Sequence, residues 1–212
     1  MKLKLFHPTK VAKGELTITG SKSESNRLLI LQALYPQIKI ENISYSDDSN
    51  VTLRGLKSNG RMVDIHHAGT AMRFLTAYFA IQQGREVVLT GSERMQERPI
   101  KLLVEALNSI GADIRYERKP GFPPLIINGK ELSENRISLP ANVSSQYISA
   151  LMLIAPSLKN GLVIELIGET TSVPYIQMTQ SILNQLGFEA AFDGSQIIIK
   201  AAEAIEEKIW KV

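Results

Sequence analysis

The sequence predicts an α/β domain of three repeated β-α-β-α-β units, with three buried helices inside and the first unit shortened. Three observations predict it. First, three stretches read as helices that are apolar on nearly every side: Ser23–Leu34 (SESNRLLILQAL), Thr70–Ile81 (TAMRFLTAYFAI) and Ser144–Ala155 (SSQYISALMLIA). A helix of that kind is buried on most sides. Second, a different kind of helix alternates with these, from Pro99 to Gly111 and from Pro174 to Gly187. Proline near the first turn and glycine past the last mark its ends. Third, strand-like runs flank both of these helices: EVVLTG and ADIRYE around one, LVIELIG and FEAAFD around the other.

Taken in order, MKLKLFHPTK lacks the apolar core of a signal peptide, so no leader is expected. Each all-apolar helix follows a small-residue turn, ITGSKS, HHAGT or LPANVSS. After the first helix, DDSNVTLRGLKSNG (Asp47–Gly60) reads as a short amphipathic copy, and RMVDIHH follows at once. Only about nine residues part Lys57 from His67, too few for a full strand pair. In the two amphipathic helices the apolar residues recur at helical spacing. They are Ile100, Leu103, Val104 and Leu107 in one, and Ile176, Ile182, Leu183 and Leu186 in the other. LIIN and QIIIK add further strand signals.

Composition excludes more than it identifies. The chain has 212 residues, 44% hydrophobic and 21% charged, with a net charge of +3. That balance is ordinary for a globular protein and gives no warrant for nucleic-acid binding. There is no cysteine, which removes disulfides, zinc–thiolate sites and thiol nucleophiles. No apolar run approaches the ~18 residues that span a bilayer. His66 and His67 invite a metal, but neighbours in a strand point to opposite faces and His7 is the only other histidine, so no metal site is expected.

The chemistry sits at the polar starts of the apolar helices. A helix N-terminus offers free N–H groups and the positive end of the dipole, where anions settle. Ser23 and Arg27 are four apart and share a face, with Lys22 at the very start. A point cation, a hydroxyl and a guanidinium fork suit a phosphate or carboxylate. The second helix repeats the idea with Gly69, Thr70 and Arg73, and the third with Ser144, Ser145 and Gln146. Three such starts in repeated units are expected to converge on one mouth. Simple N-capping by Ser23, Thr70 and Ser144 accounts for the hydroxyls equally well. It does not account for Arg27, because a buried guanidinium calls for an anionic partner. Arg94 and Arg98 read as a further cationic arm or as surface pairs with Glu93 and Glu97. Ser172 and Tyr175 lie on the corresponding turn of the third unit, Ser172 in the place of an N-cap before Pro174.

These residues together resemble the 5-enolpyruvylshikimate-3-phosphate synthase family. The matching stretches are GSKSESNR, Asp47–Asp48, AGTAMRFL, LTGSERMQERPI, VSSQYISALMLIAP and SVPYI, in the family's order from about residue 14 to about residue 190. The resemblance covers the family's N-terminal half. It implies that residues 13–202 are the N-terminal domain, that 1–12 are a strand of the other, C-terminal domain, and that 203–212 cross back to it. It further implies transfer of the carboxyvinyl group of phosphoenolpyruvate to the 5-hydroxyl of shikimate 3-phosphate, in the cytoplasm, with no metal or cofactor. The partners implied are those two substrates and the missing C-terminal half, without which the chain would be inactive.

By the same resemblance, Lys22 contacts phosphoenolpyruvate and the attacking hydroxyl, and is the catalytic residue of this half. Ser23 and Arg27 hold the shikimate carboxylate. Ser144, Ser145 and Ser172 hold its phosphate, and Gln146 and Tyr175 line its ring. Arg94 binds phosphoenolpyruvate, and Gly69 leaves room for it. The sequence departs from the family at His67, where asparagine is usual, at Phe74 for proline and at Val173 for lysine. Two other readings compete. A non-catalytic domain that binds a phosphorylated metabolite would use the same helix starts. A UDP-N-acetylglucosamine enolpyruvyl transferase would carry lysine–asparagine at Lys22–Ser23 and a cysteine, and has neither here.

Overall fold

The computed structural model describes residues 3–4, 6–11 and 13–212. The first unit comprises α1 (Lys22–Leu34), β1 (Ile38–Glu41) and α2 (Asp47–Lys57). The second runs β2 (Met62–Asp64), α3 (Gly69–Ala80), β3 (Glu86–Thr90), the one-turn α4 (Glu93–Gln96), α5 (Lys101–Ser109), β4 (Asp113–Tyr116) and β5 (Leu125–Asn128). The third runs β6 (Arg136–Pro140), α6 (Ser145–Ile154), β7 (Leu162–Ile167), α7 (Val173–Gln185), β8 (Ala190–Phe192) and β9 (Gln196–Ile199). A last strand, β10 (Lys208–Lys211), returns to pair with β1.

Helices α1, α3 and α6 pack on one another at the centre, as their all-round apolar sequences require. Leu28, Ile30, Leu31, Leu75, Ile148 and Leu151 are completely buried there. The eight apolar residues named for the amphipathic helices α5 and α7 are all buried, and the polar faces of both helices stay outside.

The second and third units share one sheet order, β2-β3-β5-β4 and β6-β7-β9-β8. In each, the two strands joined through a buried helix are parallel, because a crossover is needed to bring the chain back in the same sense. The last two strands form a hairpin whose second strand inserts antiparallel beside the central one. Each unit is therefore β-α-β-α-β-β, one strand longer than the repeat predicted from sequence. LIIN and QIIIK supply the extra strands, and their buried Leu125, Ile127, Ile197 and Ile199 explain why they sit inside the sheet rather than at its edge.

The first unit has no hairpin, since β2 begins five residues after α2 ends. Its sheet is only β1 and β10, paired in parallel. Strand β10 stands to β1 as β2 does to β3, although it lies at the other end of the chain. Lys208–Lys211, within the stretch expected to be a crossover, is thus a strand of this domain. The described residues from 3 to 19 carry no helix or strand and are exposed, including Leu16 and Ile18.

Close packing of backbone on backbone fixes the α3–β5 corner. A Cβ on Gly129 would lie 1.9 Å from the Gln82 carbonyl oxygen, which no side-chain rotation relieves. Gly129→Ala is expected to cost about 1–3 kcal/mol in urea unfolding, as overpacking does. Gly14→Ala, with nothing within 4 Å of the added atom, is expected to be neutral.

Candidate functional site

The three buried helices begin at one end of the domain, and their starts surround a single cleft of about 300 Å³. From α1 come Lys22, Ser23 and Arg27, and from α3 come Thr70 and Phe74. From α6 and its cap come Ser144, Ser145 and Gln146, and from the first turn of α7 comes Tyr175. The Gln146 side-chain amide donates to Thr70 Oγ1 at 3.2 Å and ties the starts of α6 and α3 together.

Capping differs from expectation at two of the three helices. Ser21, not Ser23, caps α1 by accepting from the Glu24 N–H at 3.4 Å. Ser23 lies one residue inside the helix, which frees its hydroxyl. Helix α3 has Ala68 in the cap position and no side-chain cap, so Thr70 is also inside. Its first-turn N–H groups are thereby left for another acceptor. Ser144 does cap α6, accepting from the Gln146 N–H at 3.4 Å.

Arg27 is the centre of the arrangement. It is 3% exposed and forms no ion pair among the described residues. Neutral acceptors hold it instead. Nε donates to Thr179 Oγ1 (2.7 Å), Nη1 to the Ser23 carbonyl (2.7 Å), and Nη2 to Ser149 Oγ (2.8 Å) and the Tyr175 carbonyl (3.5 Å). The guanidinium also lies over the rings of Phe74 and Tyr175, at 5.6 and 5.9 Å. Of its five N–H groups, one on Nη1 has no partner among the described residues. Burial pushes its pKa well below the ordinary arginine value, to about 10, with Tyr175 opposing part of the fall. A shift of that size corresponds to about 3 kcal/mol held against the charged form. An anion in the cleft would offset it. Lys22, half exposed, reaches Asp48 on α2 at 3.8 Å and adds a second cation at the rim.

A second cavity, of about 280 Å³, is lined by His67, Ser92, Arg94, Met95 and Arg98. Arg94 lies here and not in the cleft. Arg98, rather than Arg94, covers Gly69: a Cβ on Gly69 would stand 2.3 Å from Arg98 Nη1. Neither arginine pairs with Glu93 or Glu97 in the described structure. The arm is held from below. Buried Arg73 donates to the Gly69 carbonyl (3.2 Å) and the Pro99 carbonyl (2.9 Å), and Tyr147 Oη donates to the same Pro99 oxygen (2.7 Å). Arg73 therefore serves as a brace for the second cavity and is absent from the cleft lining, unlike the role its position beside Thr70 suggested. Burial lowers its pKa, Tyr147 opposes that, and Arg98 adds to it.

Ser172 holds the cap position of α7 with a left-handed backbone (φ 57°), and its side chain makes no capping bond. It does not line the cleft. His66 and His67 are not in a strand. They form a turn in which His66 is left-handed (φ 50°), and their Nδ1 atoms meet at 2.7 Å instead of pointing to opposite faces. No group of three or more metal-ligating side chains occurs among the described residues. Thr70 joins the cleft as its place at the start of the second helix suggested, and Phe74, one turn further along α3, joins it without having been singled out.

A domain of three α/β units with its buried helix starts gathered around an anion-ready cleft has the architecture of the enolpyruvyl transferases. A family model described as EPSP synthase (3-phosphoshikimate 1-carboxyvinyltransferase) matches residues 55–212, and the chain belongs to that family. It is 46% identical over 200 residues to the 3-phosphoshikimate 1-carboxyvinyltransferase of Bacteroides fragilis strain YCH46, covering 94% of this chain and 48% of that one. To the protein of the same name from Mannheimia haemolytica it is 35% identical over 209 residues, covering 85% and 48%. The fold matches a solved EPSP synthase from Acinetobacter baumannii with a TM-score of 0.76 at 20% identity, over 94% of this chain and 49% of that one. The chain thus spans about half the length of the relatives it matches. No helix among the described residues is long and apolar enough to cross a membrane.

Arg27→Met tests the electrostatics of the cleft without a ligand. Ser149 and Thr179 stay within 3.1 Å of each other, and Thr179 keeps its bond to the Tyr175 carbonyl. Thermal unfolding of the variant is expected at or above the parent temperature, because an unpaired buried charge is replaced by an apolar group of similar size. The sign of the pH dependence follows from the depressed pKa. The cost of burying the charge is constant below about pH 10 and is relieved only as pH rises beyond it toward the ordinary arginine range, so the stability difference between parent and variant should not change from pH 6 to 9.

Proposed function

We propose that this chain forms the shikimate 3-phosphate side of a 3-phosphoshikimate 1-carboxyvinyltransferase. In the reaction, the 5-hydroxyl of shikimate 3-phosphate adds to C2 of phosphoenolpyruvate while a proton goes to its methylene carbon. The resulting tetrahedral ketal then loses phosphate and a proton from the new methyl group, leaving the enol ether. Both substrates are anions at neutral pH, and the leaving phosphate gains charge. Preorganised cations and N–H groups are what such a reaction requires.

The observation that carries this reading is Arg27, a guanidinium buried at the wall of a cleft ringed by three helix starts and paired with no carboxylate among the described residues. Its remaining N–H and the freed Ser23 hydroxyl suit the ring carboxylate. Ser144 and Ser145 at the start of α6 suit the phosphate, with Ser172 joining them only after its side chain turns inward. Gln146 and Tyr175 flank the ring. Lys22 at the rim is the catalytic contact to phosphoenolpyruvate and the attacking hydroxyl. The pocket over Gly69 takes phosphoenolpyruvate, with Arg98 as its nearest cation and Arg94 as a second. No cofactor is required by this chemistry.

We further propose that residues 13–202 with β10 act as an N-terminal domain, that 1–12 belong to a second domain, and that this second domain faces the open mouth of the cleft. The length of the relatives and the exposed Leu3, Phe6, Leu16 and Ile18 support this division. A cytoplasmic location goes with the reading.

Calorimetric titration of shikimate 3-phosphate into the chain, with shikimate and inorganic phosphate as controls, is the test. Saturable binding that needs both ring and phosphate is expected. No binding, to this chain or to one extended by the second domain, would reject the reading. Arg27→Ala is expected to weaken binding by about 1.5–3 kcal/mol, the scale of a hydrogen bond to a charged group. The chain alone is expected to give no sustained phosphate release from the two substrates, measured by a coupled phosphate assay.

A further inference from the structure

His67 lines two cavities at once. One is the pocket with Arg94 and Arg98, and the other, of about 520 Å³, is lined with His66 by Asp47, Asn50 and Arg54 of α2. Both histidines are exposed, and their rings meet edge to face with centroids 4.9 Å apart. Their Nδ1 atoms lie 2.7 Å apart, so one must carry the proton and the other a lone pair. The left-handed turn at His66 imposes this contact, and the Asp64 carboxylate steadies it by accepting the His66 backbone N–H at 2.7 Å.

We propose that the His66–His67 pair is a proton-taking element of the Arg94–Arg98 pocket, and that an anion entering the pocket draws one proton onto the pair. The inference rests on the reading of that pocket as an anion site. The chemistry is that of two imidazoles sharing one N–H. With Nδ1 of both rings committed to each other, the next proton goes to a free Nε2 and leaves the shared bond intact. A further proton would place N–H against N–H and is resisted. The charged groups around the pair are mixed: Arg54, Arg94 and Arg98 are cationic, Asp47 and Asp64 anionic. An anion beside Arg94 and Arg98 adds negative charge next to the pair and favours its cationic form. His67 then adds a third positive group over the pocket.

The probe is sulfate, whose charge is constant across the range in which histidine titrates. Sulfate affinity for the whole chain is expected to rise between pH 8 and pH 5.5, by up to about tenfold for a one-unit shift of one histidine. His67→Asn is expected to abolish most of the rise. His66→Asn keeps a residue that accepts the left-handed backbone, removes the shared proton and is expected to reduce the rise. With only three histidines in the chain, ring ¹⁵N spectra read the same event directly in the parent protein. Sulfate should move the His67 titration midpoint upward and leave His7 unmoved. Sulfate binding that is equally tight at every pH, with the His67 midpoint fixed, overturns the proposal and leaves the anion pocket standing. Absence of sulfate binding at every pH overturns both.

Discussion

The structure depends on one unusual constraint, a guanidinium buried against three other helices with no carboxylate paired to it among the described residues. Arg27 comes from α1, bonds Ser149 of α6 and Thr179 of α7, and lies over Phe74 of α3. Four helices therefore take their relative positions partly from a single side chain. Hydroxyls and carbonyls orient the fork but do not neutralise it. A fold that kept this group for stability alone would gain from an apolar replacement. The arrangement makes physical sense if the missing charge arrives from outside.

The repeat explains why there is a mouth for that charge to enter. Each unit sends a buried helix back through the centre from the same side, so the three starts share an end. Their dipoles add there, and hydroxyls and a glycine lie among the first-turn residues: Ser23, Gly69, Thr70 and Ser145. A second arginine near a buried helix start, Arg73, makes the same bond back to the carbonyl four residues earlier, Nη1 to Gly69, as Arg27 makes to Ser23. It then turns to Pro99 instead of to the cleft. Two similar arginines thus do two tasks: that of α1 forms the wall of the cleft, and that of α3 braces the neighbouring arm.

The helices were legible because apolar periodicity is a property of neighbouring residues. All-round apolar runs gave the three central helices, and one-sided runs gave α5 and α7. Arg27 stood out for the same reason, as a charge inside a run that had to be buried. What escaped sequence depends on residues far apart or on single backbone angles. Ser23 reads as the cap of the first helix until the chain's entry angle gives that place to Ser21. His66 and His67 read as strand neighbours until one positive φ folds their rings together. Arg94 lies in the one-turn helix α4 and Arg98 just past it. Which of them covers Gly69 is decided at Pro99, gripped by Arg73 and by Tyr147 from 48 residues away. The pairing of β1 with β10 spans most of the chain and leaves no local trace.

That last pairing also governs how the domain meets its surroundings. In the second and third units the strand that precedes the buried helix lies in the unit's own sheet. In the first unit β10 has taken that place, and the residues that do precede α1 run outward, exposed, past Ile18 and Leu16. Gly20 is the pivot, its N–H bonded to the Asn42 carbonyl, and a Cβ there would run into that carbonyl oxygen and the Val212 side chain. The segment that enters α1 and the residue that follows β10 are thereby held against each other at the head of α1, so the first unit's sheet is closed by segments far apart in the described chain.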